Sequence, residues 1–223
     1  SATPLPELGD EVEEHGGVSE FGYKVIDEMN RVGMMVDISH VSIKCMMQAT
    51  AYSKAPVIAS HSGVYVLSQH QRNLTDEQLL AVAAAGGVVQ IVGLDSFVKY
   101  YPEKGAKVDA LRAAVATAHG DDEWDRSKHA DTDDYKAGMA IIDEEFPHAN
   151  VKDFVDGIEY ATKLIGVDHV GIVSDFDGGG GLEGWNSAAE TMNVTAELMA
   201  RGYTEEEIGK IWSGNILNVW RKV

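Results

Sequence analysis

The feature that most restricts the fold of this sequence is its alternation between helical stretches and short apolar segments. Four apolar segments of β-type composition, at residues 34–38, 56–60, 88–92 and 169–173, each follow a helical stretch. Apolar strands joined by helices are typical of a parallel sheet covered on both faces, an α/β architecture. A (β/α)₈ barrel and an open doubly wound sheet share this pattern. No glycine-rich phosphate loop follows the first strand, which favours the barrel.

Residues that begin and end helices separate these segments. Ser19 can cap the first helix and Gly33 can end it. Capping boxes are predicted at Thr75 with Gln78, Ser187 with Glu190, and Thr204 with Glu207. The polar, charged stretch from about 96 to 150 breaks the alternation. We therefore expect one domain over residues 1–223 that carries a helical insertion at about 96–150.

Charge and hydropathy exclude several classes of partner. Acidic residues outnumber basic ones 36 to 18, which gives a formal net charge of −18. Such a surface repels nucleic-acid phosphates, so nucleic acid is not an expected partner. No apolar run approaches the roughly 20 residues that span a bilayer, so this chain contains no predicted membrane segment.

Polar residues end three of the four predicted strands: His40, His61 and Asp175. Active sites of barrel enzymes lie at the carboxyl ends of the strands. Neighbouring parallel strands lie roughly 5 Å apart, so imidazoles at two adjacent strand ends can converge on one ion. A single histidine after a strand is more simply read as a hydrogen-bonded core or loop residue. The three together indicate a metal site, because zinc binds neutral imidazoles and carboxylates.

Other polar residues are open to more than one interpretation. Asp175 could bond a metal-bound water and move its proton, and Arg72 could hold a substrate carboxylate through two hydrogen bonds. From the sequence alone, an ordinary surface arginine is the simpler interpretation of Arg72. The two His-x-Asp patterns in the insertion, at His119 and His129, do not follow a strand and are interpreted as solvated. The other histidines also lack a strand-end position that favours metal binding: His15, His70, His148 and His169.

Several motifs in order resemble the renal (membrane) dipeptidase family. They are residues 29–34 (MNRVGM), 36–42 (VDISHVS), 55–62 (APVIASHS), 72–74 (RNL), 167–178 (VDHVGIVSDFDG) and 214–220 (GNILNVW). They look like the fifth, sixth and eighth strand regions and the closing helix of that family's (β/α)₈ barrel. The resemblance implies that this chain supplies about four βα units, strands 5–8.

The resemblance also implies an activity and a cofactor. The family hydrolyses dipeptides, often with a D-residue at the C-terminal position, by a metal-activated hydroxide at two zinc ions. Carried over to matching positions, His40 and His61 would ligate one zinc ion. Arg72 would bind the substrate carboxylate, and Asp175 would contact the bridging water and assist proton transfer.

The family's first-strand His-x-Asp, its bridging glutamate and a substrate-contacting histidine have no counterpart in this chain. We therefore expect ligands for one of two zinc ions, completed by a missing N-terminal half or by a homo-oligomer. Two alternatives remain open. One is a non-catalytic barrel fragment or pseudoenzyme without the first metal site. The other is a different amide or ester hydrolase of the same barrel class.

Overall fold

The computed structural model describes residues 16–223, so His15 lies outside the described part of the chain. The helices, in chain order, are α1 (Glu20–Val32), α2 (Ile43–Tyr52), α3 (Asp76–Ala84), α4 (Asp95–Val98), α5 (Pro102–Ala118), α6 (Arg126–His129), α7 (Asp133–Glu145), α8 (Val151–Ile165), α9 (Thr191–Ala200), α10 (Glu205–Gly209) and α11 (Asn215–Lys222). A π-helical turn at Lys210–Gly214 joins α10 to α11. The strands are β1 (Ile58–Ser62), β2 (Val88–Val92) and β3 (Val170–Val173).

The sheet is parallel, and its strands follow chain order. β2 pairs with β1 on one side and with β3 on the other. The expected strand at 34–38 is reduced to one parallel bridge between Asp37 and Ile58. Four full strands was therefore too many for the described residues, which form three strands and this bridge. Met34 is 55% exposed, so the beginning of that segment lies outside the packed sheet.

Local signals explain where most helices begin. Ser19 and Ser42 accept backbone N–H bonds at the starts of α1 and α2, and Gly33 ends α1 in the left-handed conformation. The capping boxes at Thr75 and Thr204 both form. The box predicted at Ser187 was wrong. Its side chain caps nothing, and α9 begins only at Thr191, after a short 3₁₀ turn.

The core lies mainly between the sheet and the helices that cover one of its faces. Side chains that alternate along β2 and β3, such as Val89, Ile91 and Ile172, pack with Leu79 of α3 and Phe154 of α8. Ile58 and Val88 point to the other face and pack with Val219 of α11. This two-sided burial explains why β2 and β3 are apolar at most positions.

Residues Tyr100–His148 form a compact unit of their own, separate from the unit formed by the rest of the described chain. In it, α5 packs on α7 around Val115, Ile142 and Phe146. The interpretation of His129 as solvated was wrong, because its side chain is 1% exposed. Among residues 16–223, no helix has both the length and the apolar character that a bilayer crossing requires.

Candidate metal and substrate site

The residues that the sequence singles out lie at or just beyond the carboxyl ends of three members of the sheet. His40 comes two residues after Ile38, which bonds to β1; His61 lies in β1 itself; and Asp175 comes two residues after β3. Arg72 lies in the loop between β1 and α3. Because parallel strands carry their carboxyl ends to one edge, all four positions belong to the same side of the sheet.

The backbone is unusual at three of these positions. His40 (φ 65°) and Asp175 (φ 53°) are the non-glycine residues with positive φ among the described residues. In β1, the two residues Ser60 and His61 stand opposite the single residue Gln90, which is a β-bulge. Bulges and left-handed non-glycine residues are costly, and they are concentrated at functional sites. The outliers therefore coincide with the candidate site.

The imidazoles of His40 and His61 face each other. Their Nε2 atoms are 2.6 Å apart, and the ring centroids are 4.6 Å apart with the planes tilted by 55°. Partial burial lowers the pKa of His40, and the nearby Arg72 and His61 lower it further. A neutral imidazole is the form that binds a metal ion. The two rings thus offer converging nitrogen donors.

This pair fits part of a zinc site. Two imidazoles bound to one tetrahedral zinc ion, at about 2.0–2.1 Å each, hold their nitrogens about 3.3 Å apart. The observed pair would open by roughly 0.7 Å to bind the ion, which a small ring rotation achieves. No group of three or more His, Cys, Asp or Glu side chains within residues 16–223 is arranged to hold a metal ion. The described residues therefore provide two donors, and further ligands would have to come from elsewhere.

Arg72 lies beside the imidazole pair. Its Nη2 is 3.4 Å from His61 Nε2, and its guanidinium carbon is 5.4 Å from the centroid of the Phe97 ring. Within residues 16–223, no carboxylate forms a salt bridge with it. Burial lowers the pKa of Arg72, and Asp175 and Asp37 oppose that effect. A guanidinium remains cationic in proteins, so Arg72 is available to bind an incoming carboxylate.

Buried contacts hold the Arg72 loop in place. Asn73 is 4% exposed, and its amide donates to the carbonyls of Ser68 and Phe97, each at 2.7 Å. His70 stacks on Phe97 with centroids 4.3 Å apart, and its Nδ1 accepts the Arg72 N–H. Burial lowers the pKa of His70 to about 4. His70 therefore links the Arg72 backbone to the Phe97 ring.

Asp175 lies near Arg72 without bonding it. Its charge raises the Arg72 pKa, but within the described chain no hydrogen bond or salt bridge joins it to His40, His61 or Arg72. Its carbonyl accepts the N–H groups of Gly178 and Gly180, which stabilises the left-handed turn. A Cβ at Gly180 would come within 1.9 Å of the Ser174 carbonyl, so this turn requires glycine there.

Sequence reasoning missed the polar residues behind the imidazoles. Asp37 accepts the N–H groups of Ser39 and Ser60 on Oδ1, at 3.0 and 3.1 Å, and the Ser60 hydroxyl on Oδ2, at 2.6 Å. Ser60 Oγ lies 2.8 Å from His61 Nδ1, and Ser39 Oγ accepts the His61 N–H at 3.1 Å. The sequence did contain one signal for Asp37, because it is a charged residue inside an otherwise apolar strand segment.

Comparison with known proteins agrees with the motifs. A model of the membrane dipeptidase family, peptidase family M19, matches residues 2–223. An uncharacterized dipeptidase, C965.12 of Schizosaccharomyces pombe, is 32% identical over 208 residues, which are 92% of this chain and 40% of that protein. Dipeptidase tcpJ of Claviceps purpurea is 31% identical over 210 residues, 94% of this chain and 39% of that protein.

A solved structure of a probable dipeptidase has a similar fold over the whole of this chain. The probable dipeptidase PvdM from Pseudomonas aeruginosa superposes with a TM-score of 0.78 at 37% identity and covers 100% of this chain and 58% of that one. This chain therefore spans about 40% of the length of the curated relatives it matches.

Proposed function

Because the chain belongs to the membrane dipeptidase family, peptidase family M19, we propose that it is part of a metal-dependent dipeptidase. The observation that carries this proposal is the pair of facing imidazoles, His40 and His61, with the Arg72 guanidinium beside them. A metal ligand set next to a cation that can bind a carboxylate suits a substrate with a free C-terminus. Tolerance of a D-residue at that C-terminus, as the family resemblance implies, is part of the proposal.

We propose a (β/α)₈ barrel in which the Asp37 bridge and β1–β3 correspond to strands 5–8. The parallel pairing in chain order and the polar residues at one edge support this assignment. Within residues 16–223, β3 has no strand partner on its outer side and β1 has only the bridge at Asp37 on its own, and unpaired edges favour pairing. The other half of the barrel would come from further residues of the same protein or from a second copy.

The proposed cofactor is zinc, with two ions per complete barrel and ligands here, His40 and His61, for one. When bound, the metal lowers the pKa of water and withdraws electrons from the scissile carbonyl. Arg72 would bind the dipeptide carboxylate with two hydrogen bonds and set the distance from the C-terminus to the scissile bond. Asp175 would take the proton of the attacking water and give it to the amine as the C–N bond breaks.

The test is peptide hydrolysis and metal content, measured on the longest protein that carries this segment. We expect bound zinc, cleavage of dipeptides and, for Arg72→Ala, a KM raised by about 100-fold for dipeptides with a free carboxylate. C-terminally amidated dipeptides provide the control, because they lack the group that Arg72 binds. Equal loss on both substrates would contradict this role for Arg72 and favour another amide or ester hydrolase.

One observation favours a second candidate. Within residues 16–223, the site offers two metal donors rather than the three or four of a zinc enzyme. A scaffold that keeps the fold without catalysis would show the same pattern. Absence of bound zinc after incubation of the longest protein with the metal would support the scaffold, and zinc together with hydrolysis would exclude it.

A further inference from the structure

The polar residues behind the imidazoles form a directed chain from Asp37 through Ser60 to His61. The Asp37 carboxylate can only accept hydrogen bonds, so the Ser60 hydroxyl must donate its single hydrogen to Oδ2, 2.6 Å away. Ser60 Oγ then has only lone pairs left for its 2.8 Å contact with His61 Nδ1. The imidazole must supply the hydrogen of that contact from Nδ1.

A second contact leads to the same result. The guanidinium of Arg72 has only donors, and its Nη2 lies 3.4 Å from His61 Nε2. A cationic N–H group beside Nε2 is attracted by a lone pair on that nitrogen and repelled by an N–H there. Both neighbours of the ring therefore favour one tautomer, with hydrogen on Nδ1 and a lone pair on Nε2.

We propose that Asp37 and Ser60 are positioning residues that hold His61 in the tautomer that presents the Nε2 lone pair to the metal. In the metal-free chain, the 2.6 Å contact is then a hydrogen bond from His40 Nε2 to His61 Nε2. Partners of this kind orient the ligand and make it more basic. The metal in this statement rests on the proposed function, but the tautomer exists without it.

Asp37 also holds the two ligand segments together. Its Oδ1 binds the backbone on both sides, through the N–H groups of Ser39 and Ser60. These residues immediately precede His40 and His61. One carboxylate thus sets the spacing of both imidazoles as well as the proton position on one of them.

The most informative substitution is Asp37→Asn, because it reverses the direction of the hydrogen bonds from His61 through Ser60 to residue 37 without removing them. The amide oxygen can keep the two backbone bonds, while its N–H₂ now donates to Ser60 Oγ. The Ser60 hydroxyl must then donate to His61 Nδ1, and the imidazole hydrogen moves to Nε2. Replacing an orienting carboxylate by an amide is known to enforce the wrong tautomer in this way.

The experiment is ¹⁵N NMR of the histidine rings in the metal-free form of the longest protein that carries this segment, which distinguishes protonated from unprotonated ring nitrogens. We expect hydrogen on His61 Nδ1 in the wild type and in Ser60→Thr, a mixture of tautomers in Ser60→Ala, and hydrogen on Nε2 in Asp37→Asn. Ser68→Ala is the matched control, since the Ser68 hydroxyl is buried without a partner in the described chain. It should leave the His61 signals unchanged.

Zinc affinity, measured by competition with a chromophoric chelator on the longest protein, adds a second readout. Asp37→Asn should weaken binding by about 10- to 100-fold, while Ser60→Thr restores most of the loss caused by Ser60→Ala. Hydrogen on Nε2 in the wild type, or a tautomer that Asp37→Asn does not change, overturns the proposal. If the wild type binds no zinc, the proposed function fails, and the NMR result alone decides this inference.

Discussion

Two clusters of histidine and carboxylate residues in this molecule look alike in sequence and differ in how the ring nitrogens are used. In the unit formed by residues 100–148, His129 Nδ1 accepts the Asp125 N–H at 3.0 Å, and its Nε2 lies 2.9 Å from Asp121. Both nitrogens are occupied by protein groups, and the ring is buried. At the carboxyl ends of the strands, His61 Nδ1 is hydrogen-bonded to the Ser60 hydroxyl, and His61 Nε2 faces the imidazole of His40.

The partner of the second ring nitrogen, rather than the spacing of residues in the sequence, separates a structural histidine from a metal ligand. His129 belongs to a His-x-Asp pattern, the spacing typical of metal-dependent hydrolases, yet its bonds are complete within its own unit. His61 belongs to no such pattern, yet its Nε2 is directed at Nε2 of a second potential metal ligand, His40. The inferred tautomers are also opposite: hydrogen on Nε2 in His129 and on Nδ1 in His61.

Paired substitutions of these two histidines give the largest expected difference. His61→Ala should lower zinc affinity by at least about 100-fold and change the free energy of unfolding little, since its ring is only half-buried. His129→Ala should leave zinc affinity unchanged and destabilise its unit by about 2–3 kcal/mol, because the Asp125 N–H and the Asp121 carboxylate lose their partner. Chelator competition and urea unfolding measure the two effects. Loss of zinc affinity in His129→Ala would remove the distinction.

Features that depend on residues close together in the chain could be predicted from the sequence. The caps at Ser19, Thr75 and Thr204 involve contacts three residues apart, so local composition predicts them well. The proximity of His40 and His61 followed from their position after neighbouring parallel strands. The bulge at Ser60 and His61 could not be predicted, because a bulge is defined by the pairing of β1 with β2 and not by the sequence of β1 alone.

Contacts that the spacing of residues does not indicate account for the rest of what was missed. Asp37 reaches Ser60 across 23 positions of the chain, and nothing in the spacing indicates that bond. The burial of His129 depends on how the short helix α6 packs within its unit. The box at Ser187 failed because Glu190 accepts the Asn186 N–H at 2.6 Å instead.

A smaller effect is expected from Asn73, whose buried amide joins its own loop to α4 beside the site. Asn73→Ala leaves the carbonyls of Ser68 and Phe97 without this donor and should cost about 2–3 kcal/mol of unfolding free energy. Urea unfolding measures this, with Asn193→Ala as the control. The Asn193 amide also donates to a carbonyl, that of Gly184, but is exposed, so water can replace it. Equal effects of the two substitutions would show that burial is not what makes Asn73 important.

The pH dependence of stability tests the environment of His70. Burial lowers its pKa to about 4, whereas an unfolded histidine titrates near 6.5. Between these values the unfolded state binds a proton that the folded state does not, so stability falls as pH decreases from about 6.5 to about 4. We expect a loss of about 1–2 kcal/mol, less than the full shift implies because the ring is partly exposed. His70→Asn keeps a hydrogen-bond acceptor but has no group that titrates between these pH values. Urea unfolding measures the free energy of unfolding at each pH. If that free energy falls with pH equally in the variant and in the wild type, His70 is not the cause of the loss.

The smallest expected effect concerns Phe97, and it separates the two regions again. Phe97 lies under the Arg72 guanidinium, and Phe146 in the other unit lies under the Lys107 ammonium, 5.0 Å from the ring centroid. Each cation–π contact contributes about 0.5–1 kcal/mol. Phe97→Leu should therefore raise the KM for free-carboxylate dipeptides about two- to five-fold with kcat unchanged, because a less well positioned Arg72 binds the substrate carboxylate more weakly in the ground-state complex and in the transition state alike. Phe146→Leu removes a contact of the same kind and should leave both constants unchanged, so a KM shift in Phe146→Leu would show that the response is not specific to the Arg72 loop.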